Sequence, residues 1–88
     1  MQFAPYYGPG SKEATISNPR LENRLKVARA ERGLSQEQLA SLASVTRQTI
    51  SSIETGRYVP SALLAFVLAE RLGKRVDELF TLYEGDNP

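Results

Sequence analysis

Residues 35–56, SQEQLASLASVTRQTISSIETG, decide the fold of this chain. Ser35 and Gln38 have the spacing of a capping box, in which a serine hydroxyl and a glutamine side chain each satisfy a free backbone N–H at a helix start. Thr46 can cap a following helix in a similar way. The stretch therefore predicts two short helices, at 36–43 and 47–55, joined by a tight turn.

Helical patterns lie on both sides of this pair. Upstream, Pro19 suits a first helical turn and apolar residues recur at helical spacing, which predicts a first helix at 19–33. Downstream, a fourth helix is predicted at 60–73 and a short fifth helix at 76–80. Only residues 80–83 have the composition of a strand. The predicted fold class is all-α, a compact bundle of five helices.

The chain is predicted to hold one domain between two tails. Residues 1–18 show neither helical nor alternating periodicity and carry two prolines and two glycines, which favours a flexible N-terminal tail. Residues 19–83 form the predicted domain, and residues 84–88 a C-terminal tail. Three aromatic residues leave a second interpretation open, in which the N-terminal tail docks on the domain or on a partner: Phe3, Tyr6 and Tyr7.

The composition excludes several classes of function. With 88 residues, 41% hydrophobic and 24% charged, the chain can bury one small core. It contains no Cys and no His, the usual metal ligands and general bases. Its adjacent carboxylates, Asp77 and Glu78, point about 100° apart on a helix and share no site. We therefore expect no enzyme activity, no metal and no cofactor.

Hydropathy and charge indicate the cellular location of the protein and the kind of partner that it can bind. No apolar run is long enough to span a membrane, and the N-terminus lacks the pattern of a signal peptide, so a cytoplasmic location without membrane contact is expected. Residues 21–60 are basic overall and residues 61–88 are acidic. This asymmetry permits a polyanionic partner for the middle of the chain.

The second helix of the pair divides into two faces. Ile50, Ile53 and Glu54 predict a buried side, and polar side chains occupy the other positions. Arginine can form a fork with guanine, glutamine with adenine, and a threonine methyl contacts the thymine methyl. A helix-turn-helix places such a helix in the major groove of DNA. The polar side is therefore a candidate for reading base edges, with a merely solvated face as the alternative.

Four segments resemble the helix-turn-helix family of phage repressors, Cro proteins and xenobiotic-response-element (Xre-type) regulators: RGLSQEQLA, VTRQTIS, IETGRYVPS and LGKRVDELF. The resemblance covers residues 23–80. It implies a lambda-repressor-like bundle of five helices whose third helix binds double-stranded DNA. The turn departs from the family pattern, because Ser44 stands where glycine is usual and is expected to adopt a positive φ.

The resemblance also implies roles for individual residues. The base-reading positions are Arg47, Gln48, Thr49 and Ser52. The phosphate-binding positions are Gln36, Ser51, Arg57 and Tyr58. A helix N-terminus is physically suited to an anion, which agrees with the role of Gln36. Arg29 and Glu54 occupy the positions of an internal salt bridge that would hold the third helix against the first.

These observations predict a sequence-specific transcriptional regulator that binds double-stranded DNA, with repression by promoter occupancy as the simplest mechanism. One recognition helix reads few base pairs, so a homodimer on symmetric half-sites is expected. The predicted interface lies toward the C-terminus, where residues 80–83 could pair with their symmetry mate; its members are Leu63, Val67, Phe80, Leu82 and Tyr83. The alternative is an antitoxin or coactivator-like interaction module with a cognate protein partner and secondary DNA binding.

Overall fold

The computed structural model describes residues 19–84. In chain order the elements are β1 (Pro19–Asn23), α1 (Leu25–Glu31), α2 (Gln36–Ala43), α3 (Arg47–Glu54), α4 (Ala62–Leu72), α5 (Val76–Leu79) and β2 (Phe80–Glu84). Within residues 19–84 five helices are present as predicted, but a two-stranded sheet is added, so the all-α prediction is wrong in that respect. The predicted tails, including Phe3, Tyr6 and Tyr7, lie outside the described residues except for Glu84.

The sheet is antiparallel and joins the two ends of the described chain, with Pro19 opposite Glu84 and Asn23 opposite Phe80. The prediction of a helix from Pro19 is therefore wrong, because α1 begins only after β1. Proline fixes a φ that suits a strand end as well as a first helical turn, and the pairing with β2 decides between the two. Glu84 belongs to β2 rather than to a tail, and α5 ends at Leu79 because the strand begins at the next residue.

Side-chain caps fix where α2 and α3 begin. The Gln38 N–H donates to Ser35 Oγ at 3.0 Å, and the Ser35 N–H donates to Gln38 Oε1 at 2.8 Å, which confirms the capping box. Thr46 Oγ1 accepts from the Thr49 N–H at 3.1 Å and caps α3. Between the two helices, Ser44 has φ 58° and ψ 41°, the left-handed conformation expected of this non-glycine turn residue.

The helices and the start of β2 enclose one apolar core. Seven large side chains are fully buried: Leu25, Leu39, Ile50, Ile53, Leu68, Leu72 and Leu79. The Arg71 Nε donates to the Leu42 carbonyl at 2.9 Å, which joins α4 to the end of α2. Within residues 19–84, no helix has both the length and the hydropathy to cross a membrane. The apolar side of α3, with Ile50 and Ile53, packs in the core, and its polar side faces solvent.

The residues predicted for a dimer interface differ in accessibility. Leu63 and Leu82 are 75% and 60% exposed, whereas Val67 is half-buried against the core. The Tyr83 ring is partly covered by the Arg20 guanidinium, which lies 4.4 Å from its centroid. Phe80 is 7% exposed because β2 starts over the core and leaves it only further along. The Phe80 side chain therefore belongs to the core, which corrects its assignment as a side-chain contact of the interface.

Candidate nucleic-acid interface

The outer side of α3 is polar along its whole length. Ile50 and Ile53 are fully buried, and at about 100° per residue the opposite side is centred on Gln48 and Ser52. Ser51 lies beside them and is half-buried. Three of the side chains predicted to meet DNA thus share one surface, and none of them belongs to the core.

Arg47 lies at the edge of this surface that faces α2. Its Nη1 donates to Gln36 Oε1 at 3.0 Å, and the Gln36 Nε2 donates to Glu54 Oε1 at 3.0 Å. Gln36 therefore connects the exposed arginine to a carboxylate at the far end of α3. Because a guanidinium has five N–H donors, most of the Arg47 fork remains available to a base.

Gln36 also lies where a phosphate contact was predicted, at the first residue of α2. Its side-chain oxygen and one hydrogen of its Nε2 group are engaged by Arg47 and Glu54. The second Nε2 hydrogen and the first backbone N–H groups of α2 are the donors that can meet an anion. The predicted role is therefore compatible with the structure, with the contact made partly through the backbone.

Thr49 lies on the opposite edge of the α3 surface and is half-buried. Its hydroxyl lies 3.1 Å from the hydroxyl of Thr46, the residue that caps α3. The hydroxyl thus belongs to the cap, and the methyl group is the part of Thr49 that suits a base contact.

A largely buried ion pair holds α3 against α1. Arg29 Nε and Nη2 donate to the two carboxylate oxygens of Glu54 at 2.6 and 3.2 Å, and Arg29 Nη1 donates to the Leu34 carbonyl at 2.8 Å. The side chains are only 14% and 3% exposed. Because each oxygen of the carboxylate has a charged donor, this pair is a structural element and not a solvated surface contact.

The pKa of Glu54 reflects this environment. Burial alone would raise the pKa of its carboxyl, but the hydrogen bonds from Arg29 and Gln36 and the positive charges of Arg29 and Lys26 outweigh burial and lower the pKa. The same hydrogen bond raises the pKa of Arg29, because it stabilises the charged guanidinium. Both partners are therefore held in their charged forms.

We expect the ion pair to make folding sensitive to acid. Since the folded-state pKa of Glu54 lies below its ordinary value of 4.5, the pair stabilises the domain fully above that value and loses its effect as the pH falls through the lowered pKa. The free energy of unfolding of wild type minus that of Glu54→Gln should be constant from neutral pH to about pH 5 and should shrink below it. A difference that does not depend on pH would show that the carboxylate charge is not involved.

The loop after α3 holds two of the predicted phosphate-binding residues, Arg57 and Tyr58, next to the polar surface of α3. The backbone N–H groups of Arg57 and Tyr58 donate to the Ser52 carbonyl at 2.8 and 3.2 Å. Gly56, with φ 79°, allows the sharp reversal. Arg57 and Tyr58 are exposed, so their side chains are free to contact a nucleic-acid backbone next to α3.

Asn23 is a structural residue that the sequence analysis missed. Its Nδ2 donates to the Ile53 carbonyl at 3.0 Å, and its Oδ1 accepts from the Leu25 N–H at 3.0 Å. One amide thus ties the end of β1 to both α1 and the last turn of α3. An asparagine two residues before a helix is a recognisable signal, but it was hidden because the helix was predicted to begin upstream of it.

Two short helices, a tight left-handed turn and a polar outer surface on the second helix define a helix-turn-helix protein. The Helix-turn-helix family model matches residues 25–79, and the chain belongs to this family. The resemblance to phage repressors, Cro proteins and Xre-type regulators is thereby confirmed.

Relatives and solved structures agree with this assignment. The chain is 46% identical over 66 residues to an uncharacterised HTH-type transcriptional regulator of Methanocaldococcus jannaschii, covering 75% of this chain and 98% of the relative. It is 42% identical over 64 residues to the uncharacterised HTH-type regulator YgzD of Bacillus subtilis, covering 73% and 97%. The crystal structure of the restriction-modification controller protein C.AhdI from Aeromonas hydrophila superposes with a TM-score of 0.60 at 34% identity, covering 62% and 80%.

Proposed function

We propose that this protein is a sequence-specific transcriptional regulator that inserts α3 into the major groove of double-stranded DNA. The observation that carries the proposal is the polar outer surface of α3, on which Arg47 and Gln48 are exposed, while Ile50 and Ile53 on the opposite side are buried in the core. Two relatives that are named HTH-type transcriptional regulators support the same class of function.

The proposed roles follow the chemistry of each side chain. Base edges are read by Arg47, Gln48, Thr49 and Ser52, and phosphates are bound by Gln36, Ser51, Arg57 and Tyr58. Arginine and glutamine can make bidentate hydrogen bonds to guanine and adenine, which a serine hydroxyl cannot. Sequence preference should therefore depend mainly on Arg47 and Gln48, while the phosphate contacts fix the register of the domain on the duplex.

The proposed regulator acts as a homodimer and represses by occupying a promoter. A single α3 of eight residues contacts too few base pairs to select one site, and a symmetric dimer doubles the recognised sequence with half-sites about 34 Å apart or a multiple of that distance. The proposed regulator acts in the cytoplasm and uses no metal or cofactor.

Selection of duplexes from a randomised pool at about 150 mM salt tests the proposal, because nonspecific phosphate binding is weak there. A two-fold symmetric consensus is expected, and an Arg47→Ala/Gln48→Ala variant should lose it. Arg75→Ala, which breaks only the exposed ion pair with Asp77 at the start of α5, is the matched control and should select the same consensus. No enrichment by wild type would contradict sequence-specific binding and favour the protein-interaction alternative.

We expect Arg57→Ala to weaken binding to all duplexes by a similar factor. Arg57 lies outside α3, and a phosphate contact carries no sequence information. The slope of log affinity against log salt should flatten by about one. Titrations of the preferred and a scrambled duplex at several salt concentrations measure both effects. A loss confined to the preferred duplex would instead assign Arg57 to base reading.

A further inference from the structure

The outer edge of β2 has unpaired backbone groups. The Arg24 N–H donates to the Leu79 carbonyl at 2.8 Å, which fixes the alternation of the β1–β2 ladder. Leu82, opposite Leu21, therefore lies in a non-hydrogen-bonded pair, and its N–H and C=O point away from β1. Within residues 19–84 the sheet contains only β1 and β2, so this edge has no partner in the described part of the chain.

The two free edges of the sheet differ in composition. β1 begins with Pro19 and places Arg20 and Glu22 at alternate positions, which is how proteins protect an exposed edge from pairing. β2 is uncharged from Phe80 to Tyr83, and its central residue, Leu82, is 60% exposed. β2 thus has the composition of a strand that is to be paired and not of an edge left in water.

We propose that a second copy of this chain pairs with the outer edge of β2, antiparallel about a two-fold axis at Leu82. The N–H and C=O of Leu82 then exchange hydrogen bonds with those of Leu82 in the second copy. Phe80 donates its own N–H to the Val76 carbonyl, but its outward C=O can accept from the Glu84 N–H of the second copy. The backbone of β2 is therefore complementary to itself in this register.

Side chains support the same register. Directly opposed residues share a face of a sheet, so Leu21 and Leu82 lie side by side. The two-fold axis would continue this pair into a row of four leucines across four strands. A two-stranded sheet is marginal by itself, whereas a wider sheet with an apolar face is stable. Pairing would thus cover Leu82, the exposed apolar residue at the centre of β2.

This pairing would also set the distance between the two recognition helices. Asn23 connects β1 to the Ile53 carbonyl in the last turn of α3, so the sheet and α3 are expected to move as one body. The inference deepens the proposed function and rests on it for the meaning of the dimer, because a symmetric operator requires a fixed distance between α3 and its symmetry mate.

Sedimentation of the full chain over about 1–100 μM tests the interface. Wild type should form dimers, and Leu82→Glu should raise the dimer dissociation constant by about tenfold or more, because two carboxylates would meet at the axis. Leu63→Glu tests the other exposed position of the predicted interface, on α4, and Phe66→Glu, at a similarly exposed position of α4 outside the predicted interface, is the control; both should leave the constant unchanged. A monomeric wild type, or dimers lost in Leu63→Glu and kept in Leu82→Glu, would overturn the proposal.

A backbone variant tests the hydrogen bonds between the two copies. Leu82→Pro removes the outward N–H together with the leucine side chain, and the ladder to β1 retains its hydrogen bonds because Leu82 makes none with β1, so only the contact between copies is lost. A folded monomer is expected, with a helical circular dichroism spectrum like that of wild type; a folded dimer would overturn the proposal. DNA binding separates the two hypotheses: if Leu82 controls dimerisation but wild type selects no duplex, the proposed function fails and the interface stands.

Discussion

Glu54→Ala should lower the free energy of unfolding by about 3–5 kcal/mol, because it leaves the Arg29 guanidinium buried without its counter-charge. Arg29 is 14% exposed, and two of its three hydrogen-bonded nitrogens donate to Glu54. A domain of this size has a total stability on the order of 3–10 kcal/mol. The variant is therefore expected to be partly unfolded near room temperature.

Urea titration followed by circular dichroism measures this loss, and three variants identify its cause. Glu54→Gln keeps the shape and one hydrogen-bond acceptor, so it should be less destabilised than Glu54→Ala at neutral pH. Arg29→Met/Glu54→Leu removes both charges, so it should be more stable than Glu54→Ala. Arg75→Ala breaks the exposed pair with Asp77 and should change stability by less than about 1 kcal/mol. A urea unfolding curve of Glu54→Ala like that of wild type would contradict a structural role for the ion pair.

The starts of α2 and α3 could be predicted because the side chains that cap them lie within a few residues of the helix start. Ser35, Gln38 and Thr46 satisfy free backbone groups within three residues of themselves, and these are the contacts that the structure contains. Such signals need no knowledge of the remainder of the chain. The left-handed conformation of Ser44, by contrast, was expected from the resemblance, because glycine is usual at that position of the family.

The sheet could not be predicted in the same way. Pairing of β1 with β2 joins residues from opposite ends of the domain, and nothing in the sequence of β1 specifies its partner. Pro19 is compatible with a helix and with a strand. Asn23 could not be recognised as a residue that precedes a helix, because the predicted helix already included it. Both errors have one origin, because tertiary pairing overrides the local preference of a short segment.

The candidate site also has one part that the local sequence predicts and one part that depends on contacts between helices. The polar surface of α3 follows from the helical period, so Gln48 and Ser52 lie where the sequence predicts. The chain of contacts from Arg47 through Gln36 to Glu54 joins separate helices, and side-chain spacing alone does not reveal it. These contacts matter for the proposed function because they connect Arg47, a proposed base-reading residue, to the ion pair that holds α3 against α1.

Arg47→Ala should weaken binding to the preferred duplex by about 1–3 kcal/mol, roughly 5- to 150-fold, and should relax the preference at one base pair of each half-site. The side chain is exposed and its hydrogen bond to Gln36 lies at the surface, so its removal should change the free energy of unfolding by less than about 0.5 kcal/mol. Binding and stability should therefore separate in this variant, in contrast to Glu54→Ala.

Competition titrations against duplexes changed at single positions measure the effect of Arg47→Ala. Arg57→Ala removes the same charge from the neighbouring loop and is the matched control, because it should lower affinity for every duplex without changing their order. Equal losses on preferred and scrambled duplexes in Arg47→Ala would assign Arg47 to the phosphates instead. The Gln36 contact would then serve to turn the guanidinium toward the DNA backbone, and base reading would depend on Gln48 and the remaining side chains of the α3 surface.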